Sequence, residues 1–204
     1  MNLKDYSNKR TQRLVYEALF IALVILQTVV PFLGYIRIGP LSITLLPITV
    51  VLAAVWLGIR SGTLMGLAFG LSSLIRAWLV GNPVERLAAT NPLISVIPRV
   101  LMGLCVGLLA SLLIKRGLKT RWIGIICGFM GAFLNTVFFL SAMALVHGND
   151  VISFFGGASS DTLWTVLAAI VVGNGIPEAI ASALLTPLIL IPLSKLHDLH
   201  FLDA

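Results

Sequence analysis

Two apolar runs, 43–59 and 62–79, stand almost back to back, with only Arg60 and Ser61 between them. Two residues can join only antiparallel neighbours, so the stretch 36–78 reads as a tight hairpin of membrane helices. Its second arm carries Gly62, Gly66 and Gly70 at four-residue spacing. That spacing puts all three on one helix face, where the missing side chains let another backbone approach closely. The arm then runs into a charge, Arg76. Plain anchoring needs neither the glycine face nor the arginine.

The rest of the chain fits a bilayer. Of its 204 residues, 58% are hydrophobic and 11% charged, where a soluble domain is about half apolar and about a quarter charged. The net charge of +6 comes from short basic clusters between apolar runs. That placement is the mark of membrane topology rather than of nucleic-acid binding. Cys105 and Cys127 lie inside apolar runs and read as packing residues, with no disulfide framework and no metal site. No small-residue cleavage pattern follows the first apolar run, which reads as a retained span.

Six spans are predicted, at about 14–31, 43–59, 62–79, 93–114, 122–146 and 162–193, so the expected fold is an all-α integral membrane domain over 14–194. Residues 1–13 and 195–204 read as tails. On one side lie Lys4, Lys9, Arg10, Arg13, Arg60, Lys115, Arg116, Lys119, Arg121 and Lys195; on the other only Arg37 and Arg86. This bias predicts that both termini are cytoplasmic. The loop 31–42, with Tyr35 and Arg37, and the loop 147–161, with Phe154 and Phe155, then face outward. The sixth span is longer than a bilayer needs, and GNGIPE at 173–178 reads as a break in it.

Three charges fall inside spans: Arg76, Arg99 and Glu178. A charge in lipid costs at least about 2.5 kcal/mol, so each is expected to face the bundle interior or a wet cavity. Arg76 lies fourteen residues past Gly62 and Asn135 fourteen past Arg121, each about 21 Å from the inner surface. Arg99 is six residues past 93, roughly 9 Å below the outer surface. With Asn174 and Ser72 these groups can line one outward-facing pocket. Each has a plainer reading. Arg76 can snorkel to headgroups, Glu178 can simply neutralise Arg99, Asn135 and Asn174 can be interhelical glue, and Ser72 can be a packing residue. Two arginines against one glutamate favour an anionic ligand, because guanidinium binds carboxylate bidentately.

Catalytic constellations are missing. The three histidines lie outside the spans, and there is no HExxH, no paired aspartate and no phosphate loop ending in lysine. A small membrane enzyme acting on lipid would need polar groups that the short basic loops do not offer. A gradient-driven carrier is disfavoured by the lack of evident inverted repeats.

Laid out this way, the chain resembles the substrate-binding S component of an energy-coupling factor (ECF) vitamin transporter. The resemblance covers nearly the whole chain. It rests on the size and six spans, on Ala18-xxx-Ala22 in the first helix, on the block PLSITLLPITVVLAAVWLGIRSGTLMGLAFGLSSLIRA, and on NGIPEA at 174–179. Pro98-Arg99 and the NGIPEA span make it most similar to the pantothenate-type members. The resemblance implies a high-affinity vitamin binder in a bacterial cell membrane, without cofactor or ATPase of its own. Its partners are then a membrane scaffold subunit and two cytoplasmic ATPases that use ATP. It further implies that Ala18 and Ala22 meet the scaffold, that the loops 31–42 and 147–161 act as lids, and that the whole component topples to carry its ligand inward. Pantothenate, with one carboxylate plus amide and hydroxyl groups, suits an arginine with Asn135 and Asn174. Folate, cobalamin or riboflavin remain alternatives.

Overall fold

The computed structural model describes residues 3–38, 41–81, 86, 89–154, 160–197 and 199. Among these the chain is nearly all helical: α1 (Leu3–Val29), α2 (Pro31–Gly34), α3 (Leu46–Trp56), α4 (Ile59–Val80), α5 (Pro92–Ser95), α6 (Ile97–Lys115), α7 (Thr120–Phe154), α8 (Ser160–Ile170) and α9 (Ile176–Leu193). A five-residue π-helical segment, Val171–Gly175, joins α8 to α9. Five stretches are long and apolar enough to cross a membrane: Thr11–Val29, Ile59–Val80, Pro92–Lys115, Thr120–His147 and Leu167–Leu193.

The second expected span behaves differently from the others. Instead of a helix over 43–59, the chain forms an antiparallel hairpin, β1 (Tyr35–Ile38) with β2 (Leu41–Thr44), and then the eleven-residue α3. At 1.5 Å per residue α3 reaches only about 16 Å, short of the ~30 Å hydrocarbon core. It needs no more, because every one of its residues is buried by its neighbours and it has no lipid face. Irregular or strand backbone at membrane depth is tolerated where protein encloses it and its hydrogen bonds are made internally. The expectation of an all-α fold is corrected by this one hairpin.

Other boundaries also differ from expectation. The turn between the hairpin arms falls at Leu57–Gly58, and Arg60 and Ser61 belong to the first turn of α4. Gly58 has φ 110° and ψ 179°, a backbone conformation that only glycine adopts cheaply. Residues 3–13, read as a tail, continue α1, and α7 runs beyond a kink at His147 to Phe154. The GNGIPE stretch does not break its span: 173–175 complete the π segment and 176–178 open α9.

Two glycine-lined crossings hold the bundle. In α4 and α6 the helices run antiparallel with glycines facing. A Cβ at Gly70 would lie 2.7 Å from Val96 Cα, one at Gly107 2.8 Å from Ile59 Cα, and Cβ atoms at Gly66 and Gly103 would collide with the carbonyls of Arg99 and Gly62. The second crossing joins α7 and α9, where Gly124 faces Pro187 and Gly128 faces Ser182 and Thr186. Lipid gives no hydrophobic drive for helices to associate, so such close backbone packing supplies the dispersion energy. The outer faces of α1, α4 and α9 expose Leu14, Leu19, Leu79 and Leu188, as a lipid solvent allows.

Polar contacts staple the elements. Buried Thr49 Oγ1 donates to Gln27 Oε1 at 2.8 Å, tying α3 to α1. At the opposite end Ser61 Oγ donates to Glu17 Oε1 (2.7 Å), which also takes Arg13 Nε (2.9 Å). Trp56 Nε1 donates to the His197 carbonyl at 3.3 Å, fixing the C-terminal segment beneath α3. Thr49→Val removes the donor to Gln27, and we expect a loss of about 0.5–1.5 kcal/mol. Thermal unfolding of the detergent-purified variant checks it; an unchanged midpoint refutes the staple.

Candidate functional site

The polar groups of the core gather where α6, α7, the π segment and the hairpin meet. Arg99 sits in the first turn of α6, just after Pro98, which its N1/N2 position tolerates without losing a helical bond. Its backbone is pressed against Gly66, so the glycine face of α4 sets its position. The side chain is buried, at 8% exposure. Nη1 donates to the Ile94 carbonyl at 2.6 Å, and the guanidinium lies 4.5 Å from the centre of the Phe139 ring and 5.4 Å from that of Phe69. Cation–π contact with these two rings holds the fork in place and shields it from lipid.

Phe139 is one turn beyond Asn135 on α7, so Asn135 shares the face that Arg99 packs on; it too is buried. Gly175 approaches Thr136, the next residue of α7. The π segment therefore meets α7 beside Asn135 and brings Asn174 to the same level. A π turn carries one extra residue per turn and re-aims its side chains, which is why such segments are frequent at functional sites. Glu178, one turn further into α9, is 7% exposed. Strand β2, which ends at Thr44, packs against α9 and the π segment, and the Glu178 carboxyl lies within electrostatic reach of Thr44 and Arg99.

These side chains carry unmet demand. Among the described residues, Asn135 Oδ1, Asn174 Oδ1 and Glu178 Oε1 are buried without a hydrogen-bond partner, as are Ser182 Oγ and Thr186 Oγ1 deeper on α9. A buried unsatisfied oxygen costs roughly 1–3 kcal/mol, so these groups are the strongest candidates in the core for contact with a polar ligand.

The other residues singled out in the sequence lie elsewhere. Arg76 and Ser72 line a separate groove of about 850 Å³ between α1 and α4, none of whose walls belongs to the Arg99 cluster. Ser72 Oγ donates to its own helix, at Ala68 O (2.7 Å). Ala18 and Ala22 are exposed on one face of α1. Tyr35 and Arg37 lie on β1, in register with Thr44 and Ser42; Phe154 ends α7, and Phe155 lies outside the described residues. Sequence reasoning missed Phe69 as a wall of the site and Thr44 as a neighbour of Glu178. Phe69 was findable, since it adjoins Gly70 on the glycine face; Thr44 depends on the hairpin.

Residues 12–190 match the family model of the ECF transporter substrate-specific component. This chain belongs to that family. The S component is thus a multi-pass bacterial membrane protein and a transport subunit, not an enzyme. Two relatives match it over nearly their whole lengths. A protein of Leuconostoc mesenteroides subsp. mesenteroides described as the pantothenate transporter PanT is 32% identical over 200 residues, covering 93% of this chain and 97% of the relative. A pantothenic acid transporter PanT of Lactococcus lactis subsp. cremoris is 31% identical over 192 residues, covering 87% and 91%.

Proposed function

We propose that this S component binds pantothenate from outside the cell and delivers it inward by reorienting against a membrane scaffold subunit. Two cytoplasmic ATPases drive the cycle, and this chain hydrolyses no ATP itself. The observation that carries the ligand is the match of chemistry at the buried cluster. Pantothenate offers one carboxylate, two hydroxyls and one amide N–H. The cluster offers one guanidinium and three unpartnered oxygens, Asn135 Oδ1, Asn174 Oδ1 and Glu178 Oε1. The carboxylate sits on the Arg99 fork, and the three donors satisfy the three oxygens. The names of the two relatives support the same ligand.

Both termini are cytoplasmic in this reading, on the strength of the basic residues at that side. The hairpin with Tyr35 and Arg37, and the stretch around Phe154 and Phe155, cover the ligand. The hairpin packs through β2 against α9 and the π segment, which supports coupling of ligand contact to lid closure. Ala18 and Ala22, exposed on α1, meet the scaffold by small-residue packing.

Calorimetric titration of the detergent-purified chain with pantothenate, folate, riboflavin, biotin, cobalamin and pantothenol tests this. Tight one-to-one binding of pantothenate is expected. Pantothenol, in which a neutral alcohol replaces the carboxylate, should bind weaker by about 2–5 kcal/mol. Equal binding of the two compounds would remove Arg99 as the carboxylate site, and tight binding of another vitamin alone would refute the ligand.

A further inference from the structure

The groove between α1 and α4 has a chemistry opposite to that of the Arg99 cluster. Its walls are apolar, with Ile25 and Val29 on one side and Leu71, Ile75 and Leu79 on the other. All five are exposed, so the groove opens toward lipid. Its two hydroxyls are satisfied within their own helices: Thr28 Oγ1 donates to Val24 O at 2.8 Å and Ser72 Oγ to Ala68 O at 2.7 Å. The interior therefore asks for no polar partner. Its one charged wall residue is Arg76.

The placement of that charge is informative. On α4 the groove runs from Ala68 to Val80, about 18 Å at 1.5 Å per residue. One hydrocarbon leaflet, half of a ~30 Å core, is about 15 Å deep. Arg76 lies four residues before the end of α4 at Val80, about 6 Å along the axis, from where its long side chain can snorkel to the headgroups. The groove is thus about one leaflet long and apolar, with its cation two-thirds of the way along the α4 wall and only Leu79 and Val80 of that wall beyond it.

We propose that it is a binding site for one phospholipid, the headgroup phosphate paired with Arg76 and an acyl chain laid between α1 and α4. Guanidinium matches phosphate with two parallel hydrogen bonds, and an acyl chain fills an apolar cleft that other helices do not. The site sits beside the Ala18 and Ala22 face of α1, so the bound lipid forms part of the surface that this component presents in the membrane.

The test is native mass spectrometry of the full-length chain, delipidated in detergent and titrated with phosphatidylglycerol. One lipid is expected to bind saturably. Arg76→Gln should weaken it at least ten-fold, and Leu71→Trp, which fills the groove without touching the charge, should do the same. Gel-filtration profile and helical circular dichroism establish that both variants are folded. Glycerol 3-phosphate, which has the phosphate but no chain, should not compete. Unchanged affinity in either variant overturns the proposal, as does competition by glycerol 3-phosphate. Cross-linking of Ser72→Cys to the scaffold in the assembled transporter, with no lipid retained by the free chain, would assign the groove to a protein partner instead and equally overturn it.

Discussion

Arg99→Ala should abolish measurable pantothenate binding. The substitution removes the only cation of the buried cluster and leaves a ligand carboxylate to be desolvated without a partner. Truncating one member of a buried, hydrogen-bonded charge pair costs about 2–5 kcal/mol, or roughly thirty-fold to several thousand-fold in affinity. Arg99 also has a structural part, since it donates to Ile94 O and makes cation–π contact with Phe139 and Phe69. Arg99→Lys separates the two roles. It keeps the charge but loses the planar fork, so binding should fall by an intermediate amount while the thermal midpoint stays near that of the parent. Calorimetry with unfolding curves for both variants decides the matter. Full-affinity binding by a folded Arg99→Ala protein would dismiss the site.

Gly66→Ala should lose much stability through a single methyl group. A Cβ there would collide with the Arg99 carbonyl oxygen and come within 2.9 Å of its carbon and 3.1 Å of Val100 Cα. The obstacle is backbone on a neighbouring helix, so it cannot rotate away; α4 and α6 must separate. Overpacking of this kind costs about 1–3 kcal/mol, and Gly66→Leu should exceed that range. The same displacement moves the Arg99 backbone, so affinity for pantothenate should fall together with stability. Gly117→Asn is the control. Gly117 has φ 70° with nothing within 4 Å of an added Cβ, a conformation that asparagine accepts. Equal thermal midpoints for Gly66→Ala and the parent would show that the crossing tolerates separation, contrary to the packing described.

The lesson of the glycines is that one motif served packing and site together. Their four-residue spacing is legible in the sequence and foretells a close crossing. That the crossing partner would be the Pro98-Arg99 turn is not, because spacing names a face and not what lies against it. Arg76 makes the same point in reverse. Depth arithmetic puts it in the outer half of the membrane, near the level inferred for Asn135. Phe69, seven residues earlier, lies on nearly the same face of α4 about 10 Å along the axis; only the neighbours packed at each level decide that Phe69 reaches Arg99 while Arg76 lines the α1–α4 groove.

The hairpin and α3 were the least legible part. A run such as 43–59 satisfies any hydropathy rule for a span, and hydropathy carries no signal for burial by protein as opposed to lipid. Once five longer helices enclose α3, it can be short, and the strand pair can stand above it with its hydrogen bonds made internally.

By itself the sequence determined the membrane class, the number of apolar helical segments, a glycine face built for a close crossing and the residues capable of polar chemistry in the core. Those follow from composition, period and spacing, which are local properties. The tertiary structure alone decided which of those residues meet. It brings Arg99, Asn135, Asn174 and Glu178 to one cluster through a glycine contact, a π turn and a strand end. It leaves Arg76 and Ser72 on a lipid-facing groove, because what stands beside a helix at each level along its axis is fixed by its neighbours and not by its own sequence.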